Sequence, residues 1–167
     1  VRAAQVDNDL TKAITYINSA NALHPEDRYY RFATLIHIAE VNAVLNAADS
    51  LPQDEAQAKF QTELGAAVES GLKAVQLNDR DYRNWQSVAG AYQSVVPLNI
   101  DGAYEAALSA LESAAKLNPT IPSIPLARAQ IELAKQNDAA ARVALDETLK
   151  LKEDYIPALL LLAQIEL

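Results

Sequence analysis

His24 and His37 are the only histidines in the chain, and no cysteine accompanies them. Metal binding or acid–base chemistry by histidine needs partners whose spacing brings them onto one face. These two residues lack a ligand spacing, and no carboxylate recurs beside them at a metal-site interval. His24 precedes Pro25 in a turn sequence, where surface or capping use is expected. "DNDL" at Asp7–Leu10 and "NDRD" at Asn78–Asp81 look like calcium loops, but neither follows D-x-[DN]-x-[DN]-G-x5-E. Helix capping by Asp or Asn accounts for both. The four glycines are scattered and form no phosphate cradle, and no G-x-S-x-G or P-loop is present. "NPT" at Asn118–Thr120 carries Pro in the middle position and is no glycosylation site. Without Cys there is no thiol nucleophile and no disulfide framework. The expectation is a non-enzymatic chain with no catalytic, cofactor-binding or metal-binding residues.

Composition narrows the remaining classes. The chain has 167 residues, enough for one domain or a short repeat array, and half of them are apolar while few are aromatic. Abundant Ala with few bulky rings suits helices packed closely through small residues. The longest apolar run, "IPALLLLA" at Ile156–Ala163, falls far short of the roughly 20 residues that span a bilayer. No membrane insertion by this segment is expected. Net charge is −8, spread evenly along the chain with no basic arm. Phosphate binding needs clustered Lys and Arg, so nucleic acid is not an expected partner. The lack of Cys fits an oxidising or a reducing compartment. No Met is present and Val1 opens a polar stretch without a signal-peptide pattern, so a piece of a longer protein is expected.

What remains is architecture. "AQIEL" occurs at Ala129–Leu133 and again at Ala163–Leu167, 34 residues apart. "KLNP" ends at Pro119 and "KLKE" at Glu153, at the same interval. Upstream of each runs one ladder: Ala107, Leu111, Ala114, Pro119, then Ala141, Leu145, Thr148, Glu153. Two earlier stretches share its spacing: Ala13, Ile17, Ala20, Pro25, and Ala67, Gly71, Ala74, Asp79. Steps of four and three put these side chains on one helix face. Small residues there let a neighbouring helix come close, and Pro or Asp beyond the end stops the helix.

A second kind of helix follows each stop. In "DYRNWQSVAGAY", Trp85, Val88, Ala89 and Tyr92 stand at a W-x2-L-G-x2-Y spacing. This resembles the first (A) helix of a tetratricopeptide repeat, and the small-residue ladder resembles the second (B) helix. The resemblance implies an all-α fold: a single domain over 1–167, an α–α superhelix of about eight antiparallel helices. B helices are expected over 8–23, 54–77, 102–117 and 138–151, and A helices over 27–47, 81–96, 122–135 and 155–167. Extra residues fall in "SVVPLNIDGAYE", where Pro97 should end an A helix and Asp101 can cap the next, and around "NAADSLPQDEAQ", where Pro52, Asp54 and Glu55 signal a helix start. "HPEDRYYRFATLIHIAEVN", "RDYRNWQSVAGAYQSVVPLNIDGAYEAA" and "LKLKEDYIPALLLLAQIE" are also similar to the C-terminal repeat region of bacterial O-antigen ligase-like (Wzy-type) membrane proteins. That similarity implies an extracytoplasmic accessory domain and transfers no catalytic residue.

The resemblance implies binding on a concave face lined by A helices. Trp85 and Tyr92 would be core. The groove positions are Arg83, Gln86, Gly90 and Gln93, then Ser123, Leu126, Gln130 and Leu133, then Pro157, Leu160 and Gln164. In the first A helix the register is ambiguous by one residue, with Tyr29, Phe32 and Ile36 as candidates. One Arg and several Gln do not make a clamp for a peptide carboxylate, so an apolar or amide-rich protein or peptide segment is the expected partner. A purely structural spacer is the alternative. "ALLLLAQIEL" is too apolar to be a cap, and self-association through it is a further expectation.

Overall fold

The computed structural model describes residues 9–166. Eight α-helices follow one another among them: α1 (Leu10–Leu23), α2 (Asp27–Asn46), α3 (Gln53–Leu77), α4 (Tyr82–Gln93), α5 (Ala103–Leu117), α6 (Ser123–Ala134), α7 (Asp138–Leu151) and α8 (Ile156–Glu166). Short 3₁₀ turns at Ala48–Ser50 and Val96–Leu98 interrupt two connections. Asp7 and Asn8 of the first calcium-like stretch lie outside the described residues, as does Leu167.

Local chemistry sets the ends. The Asp9 carboxylate accepts the Lys12 backbone N–H at 2.8 Å and opens α1, and Asp81 accepts the Arg83 N–H at 2.9 Å and opens α4. Capping is thus the use of both "DNDL" and "NDRD". Asp54 and Glu55 occupy the first turn of α3 after Pro52, where the helix dipole favours negative charge. The B helices α1, α3, α5 and α7 end alike. His24, Asn78, Asn118 and Lys152 each take an extended φ between −147° and −154°, and each donates its N–H to a carbonyl four residues back. Four different sequences share one terminating geometry, so the repeat is written in the backbone.

The ladder explains how the helices stack. Ala67, Gly71 and Ala74 are buried in α3, Ala107, Leu111 and Ala114 in α5, and Ala141, Leu145 and Thr148 in α7. In α1, Ala13 and Ile17 are buried, but Asn21 takes the place expected of Ala20. Each A helix packs along the B helix after it: α2 on α3, α4 on α5 and α6 on α7. Each B helix also meets the next A helix, and α2 touches α4. Trp85 and Tyr92 pack against a core of Val88, Ala89, Ala107, Leu111 and Ile131. A close approach falls at Gly71. A Cβ there would stand 3.2 Å from Val88 Cγ2 and 3.3 Å from Val88 Cα.

The inserted segments depart from expectation in two places. α4 stops at Gln93, before Pro97, because Val95 and Val96 turn inward, Val95 into the core with Val41 and Ala103 and Val96 into the core with Val88 and Ala89. Pro97 instead sits in the middle of a 3₁₀ turn that Val96 starts. Asp101 does not cap α5. Gly102 holds the N-cap position with φ +77°, a conformation an L side chain resists, and no side chain accepts there.

Two glycines within α3 make a contrast. Gly65 has open space around its Cα, so Gly65→Ala should raise unfolding free energy by about 0.5–1 kcal/mol through helix propensity. Gly71→Val should lower it by about 1–3 kcal/mol through overpacking against α4. Urea unfolding of the two variants beside the parent chain checks both signs.

Candidate functional site

The first A helix resolves its register by starting early. α2 begins two residues after Pro25, whereas α4 begins three residues after Asp79. The buried trio Ala33, Thr34 and Ile36 in α2 therefore matches Val88, Ala89 and Ala91 in α4. Ile36 and Tyr29 pack in the core with Ala13 and Ile17. They do not line the A-helix face, where Arg28, Arg31, Leu35 and Ile38 stand level with Arg83, Gln86, Gly90 and Gln93. A Cβ on Gly90 would lie 3.7 Å from Ile38 Cδ1, which fits this pairing. Phe32 is exposed to one side of the line, and Leu35 is 58% exposed.

At the N-terminal ends of α2 and α4, polar groups converge, of which the sequence singled out only Asn78 and Asp81 as caps and Arg83 as a groove residue. Arg31 Nη1 lies 3.1 Å from Asp27 Oδ2, 3.2 Å from Asp81 Oδ2 and 2.6 Å from Asn84 Oδ1. Asn84 is fully buried. Its amide nitrogen is shared among Asp27 Oδ2 at 3.0 Å, the Asn78 carbonyl at 2.7 Å and the Ala74 carbonyl at 3.2 Å. Asn78 Nδ2 adds a bond to Asp27 Oδ2 at 3.2 Å. Arg83 closes the network by gripping Asp81 through Nε and Nη2, with the Nη2 contact at 2.7 Å. Burial works to raise the Asp27 pKa, but hydrogen bonds from Asn84 and the Arg28 N–H and the Arg31 charge outweigh it and hold the carboxyl below its usual range. Hydrogen bonds from Arg83 do the same for Asp81 against a smaller opposing effect of burial.

Two more partly buried pairs tie helices together. His37 Nδ1 stands 2.7 Å from Glu63 Oε2 and joins α2 to α3. Glu132, the acid of the first "AQIEL", is buried and accepts the Tyr104 hydroxyl at 3.0 Å and Asn137 Nδ2 at 2.9 Å. Burial and then the bond to Glu132 push the Tyr104 pKa up. His24 is exposed beside Glu26, as a turn residue should be. Among the described residues no cluster of three or more His, Asp or Glu could hold a metal ion.

The A-helix face itself is assembled from α4, α6 and α8. Gln86 Nε2 donates to Ser123 Oγ at 3.1 Å, and Gln93 Nε2 to Gln130 Oε1 at 3.4 Å. These bonds run from α4 to α6 along the line expected of the groove. Arg83 is exposed at its head but committed to Asp81. Leu133 is half-buried, and Leu160 and Gln164 are exposed on α8 with Pro157. Leu126 is 8% exposed and sits in the core with Ala129, Ala144, Leu145 and Ala158, because α6 seats there against α7 and α8. It offers nothing to a groove.

Alternating A and B helices, a recurrent buried ladder and a common B-helix ending give this chain the architecture of a tetratricopeptide-repeat array, an all-α superhelix. No family model and no curated protein matches the chain. Among solved structures it is similar to YrrB, described as a TPR protein with an unusual peptide-binding site. Identity is 16% over 93% of this chain and 84% of that one, with a TM-score of 0.49. The comparisons give no support to the ligase-like reading. No helix among the described residues is long and apolar enough to cross a membrane.

The network predicts an acid-sensitive joint. Asp27 and Asp81 ionise below their ordinary value near 3.8 in the folded chain, so they add stability above that value and lose it as pH falls through the depressed folded values. Between pH 5 and about pH 3, unfolding free energy should drop more steeply for the parent chain than for the Asp27→Asn/Asp81→Asn double variant. Denaturant melts across that range measure the two slopes, and equal slopes would contradict the assignment.

Proposed function

We propose that this chain is a non-catalytic scaffold that binds an internal, extended segment of a protein partner across its A-helix face. Gln86, Gln93, Gln130 and Gln164 supply the polar contacts, and Leu133 and Leu160 the apolar ones. The observation that carries the reading is the Gln93–Gln130 bond. Its 3.4 Å length is at the weak end for N–H···O, and both amides reach solvent. A primary amide both donates and accepts, so each can exchange this weak partner for a peptide backbone group at little cost. Gln86 lies two helical turns before Gln93 and repeats the arrangement with Ser123.

Charge decides which part of a peptide fits. Arg28, Arg31 and Arg83 are already paired with Glu26, Asp27 and Asp81. Among the described residues no cation on that face is left to clamp a terminal carboxylate, which favours an internal segment. The net charge of −8 favours neutral or basic sequences over acidic ones.

A displayed random-peptide library panned on the immobilised chain tests this. Enriched peptides should bind the Gln86→Glu/Gln93→Glu/Gln130→Glu variant at least about tenfold more weakly, a loss of about 1.4 kcal/mol. The thermal melt should stay put, since all three side chains reach solvent. Enrichment that is indifferent to the three substitutions would move binding off this face, and no enrichment at all would favour a structural spacer.

A further inference from the structure

On the opposite side of the array, α6 breaks the pattern that α4 keeps. α4 turns Trp85 and Val88 toward the B helices, where both pack with Leu111 and Val75. Forty residues on, Asn84, Ala89 and Ala91 correspond to Ile124, Ala129 and Ile131, all buried. The same offset puts Pro125 where Trp85 stands and Arg128 where Val88 stands. The plug of one repeat is thus missing from the next. Between α5, α6 and α7 a cavity of about 900 Å³ opens at that place, walled by Leu108, Leu111, Ile124, Pro125 and Leu151.

We propose that this recess is a second binding site, distinct from the A-helix face, that takes a tryptophan side chain from a basic peptide segment of a partner protein. The neighbouring repeat packs an indole against its core at the corresponding position, which sets the size of the guest. The volume exceeds one ring and accommodates flanking residues, within the usual range of ligand pockets. Arg128 supplies specificity for an aromatic group. Its side chain is half exposed, and its guanidinium stands 3.9 Å from Glu147, a loose pairing that leaves a face free to stack on a bound ring. The rim then selects the neighbours. Glu112 is held by Lys116 at 2.8 Å and Glu147 faces Arg128, which leaves the Glu105 carboxylate to attract a Lys or Arg beside the tryptophan.

The test is an NMR titration of the ¹⁵N-labelled chain with the peptide Ac-Lys-Trp-Lys-NH₂, beside Ac-Lys-Ala-Lys-NH₂ and Ac-Glu-Trp-Glu-NH₂. The expected result is saturable shifts of the Leu111, Ile124, Arg128 and Leu151 amides with the first peptide. Binding should be at least about threefold weaker with either control and with Arg128→Gln, the size of effect that one cation–π contact or rim charge carries. Pro125→Trp rebuilds the plug and should abolish the shifts, while circular dichroism reports whether the helices are kept. Arg128→Gln stands in should that variant fail to fold. Absence of shifts at millimolar peptide overturns the proposal, and so does equal affinity for the alanine control. Shifts confined to Gln86, Gln93 and Gln130 overturn it too, while leaving the A-helix face as a binding surface. Loss of library binding to that face, conversely, leaves this recess untouched.

Discussion

Ala67, Gly71 and Ala74 leave α3 almost bare where α4 crosses it, and the backbone of Val88 comes so close that a single methyl at Gly71 would crowd it. This close approach is the constraint on which the remaining geometry depends. With no bulk at the contact, A and B helices meet nearly backbone to backbone. Most burial then comes from many small contacts, which suits a chain that is rich in Ala and poor in aromatics. The ladder recurs in α5 and α7 with Leu111 and Leu145 in the place of Gly71, so its spacing is kept while the near-bare contact belongs to α3 and α4.

Close helices bring their polar ends together, and the chain fills those junctions with hydrogen bonds. Asn84 sits at the tightest of them. It satisfies the carbonyls at the end of α3 and the carboxylate of Asp27 at once, with Arg31 bridging to Asp81. A buried network of this kind tolerates little displacement, because each lost partner leaves another polar group unsatisfied. It fixes how the α2–α3 pair meets the α4–α5 pair. That in turn holds the A-helix face in register, so that Gln86 meets Ser123 and Gln93 meets Gln130 across the next boundary. Rigid spacing of these amides is what a surface for an extended chain requires.

The ladder was legible in the sequence because burial there demands small residues at fixed steps, and all eight helices follow from it. What escaped has physical reasons. A spacing from Pro25 cannot reveal that α2 starts one residue sooner than α4, so Tyr29 and Ile36 looked like surface. Val95 and Val96 leave the helix for the core, a tertiary gain that Pro97 and Asp101 do not announce. Leu126 holds a groove position by periodicity, yet the approach of α7 and α8 buries it. The Asp27–Arg31–Asp81–Asn84 network joins residues 50 and 53 positions apart, which no local motif encodes. The exchange of Trp85 for Pro125, by contrast, is plain in the sequence, and only the geometry shows that it leaves a space.

If close packing along the ladder is what the fold rests on, stability should be greatest where neighbours cover a helix from both sides. Native-state amide hydrogen exchange measures this residue by residue. The slowest amides should lie in α3, α4 and α5, around Ala74, Val88, Ala89 and Leu111, with protection falling toward α1 and α8, each of which packs mainly on one neighbour among the described helices. Maximal protection in α1 or α8, or a core of α3–α5 that exchanges as fast as they do, would contradict the account.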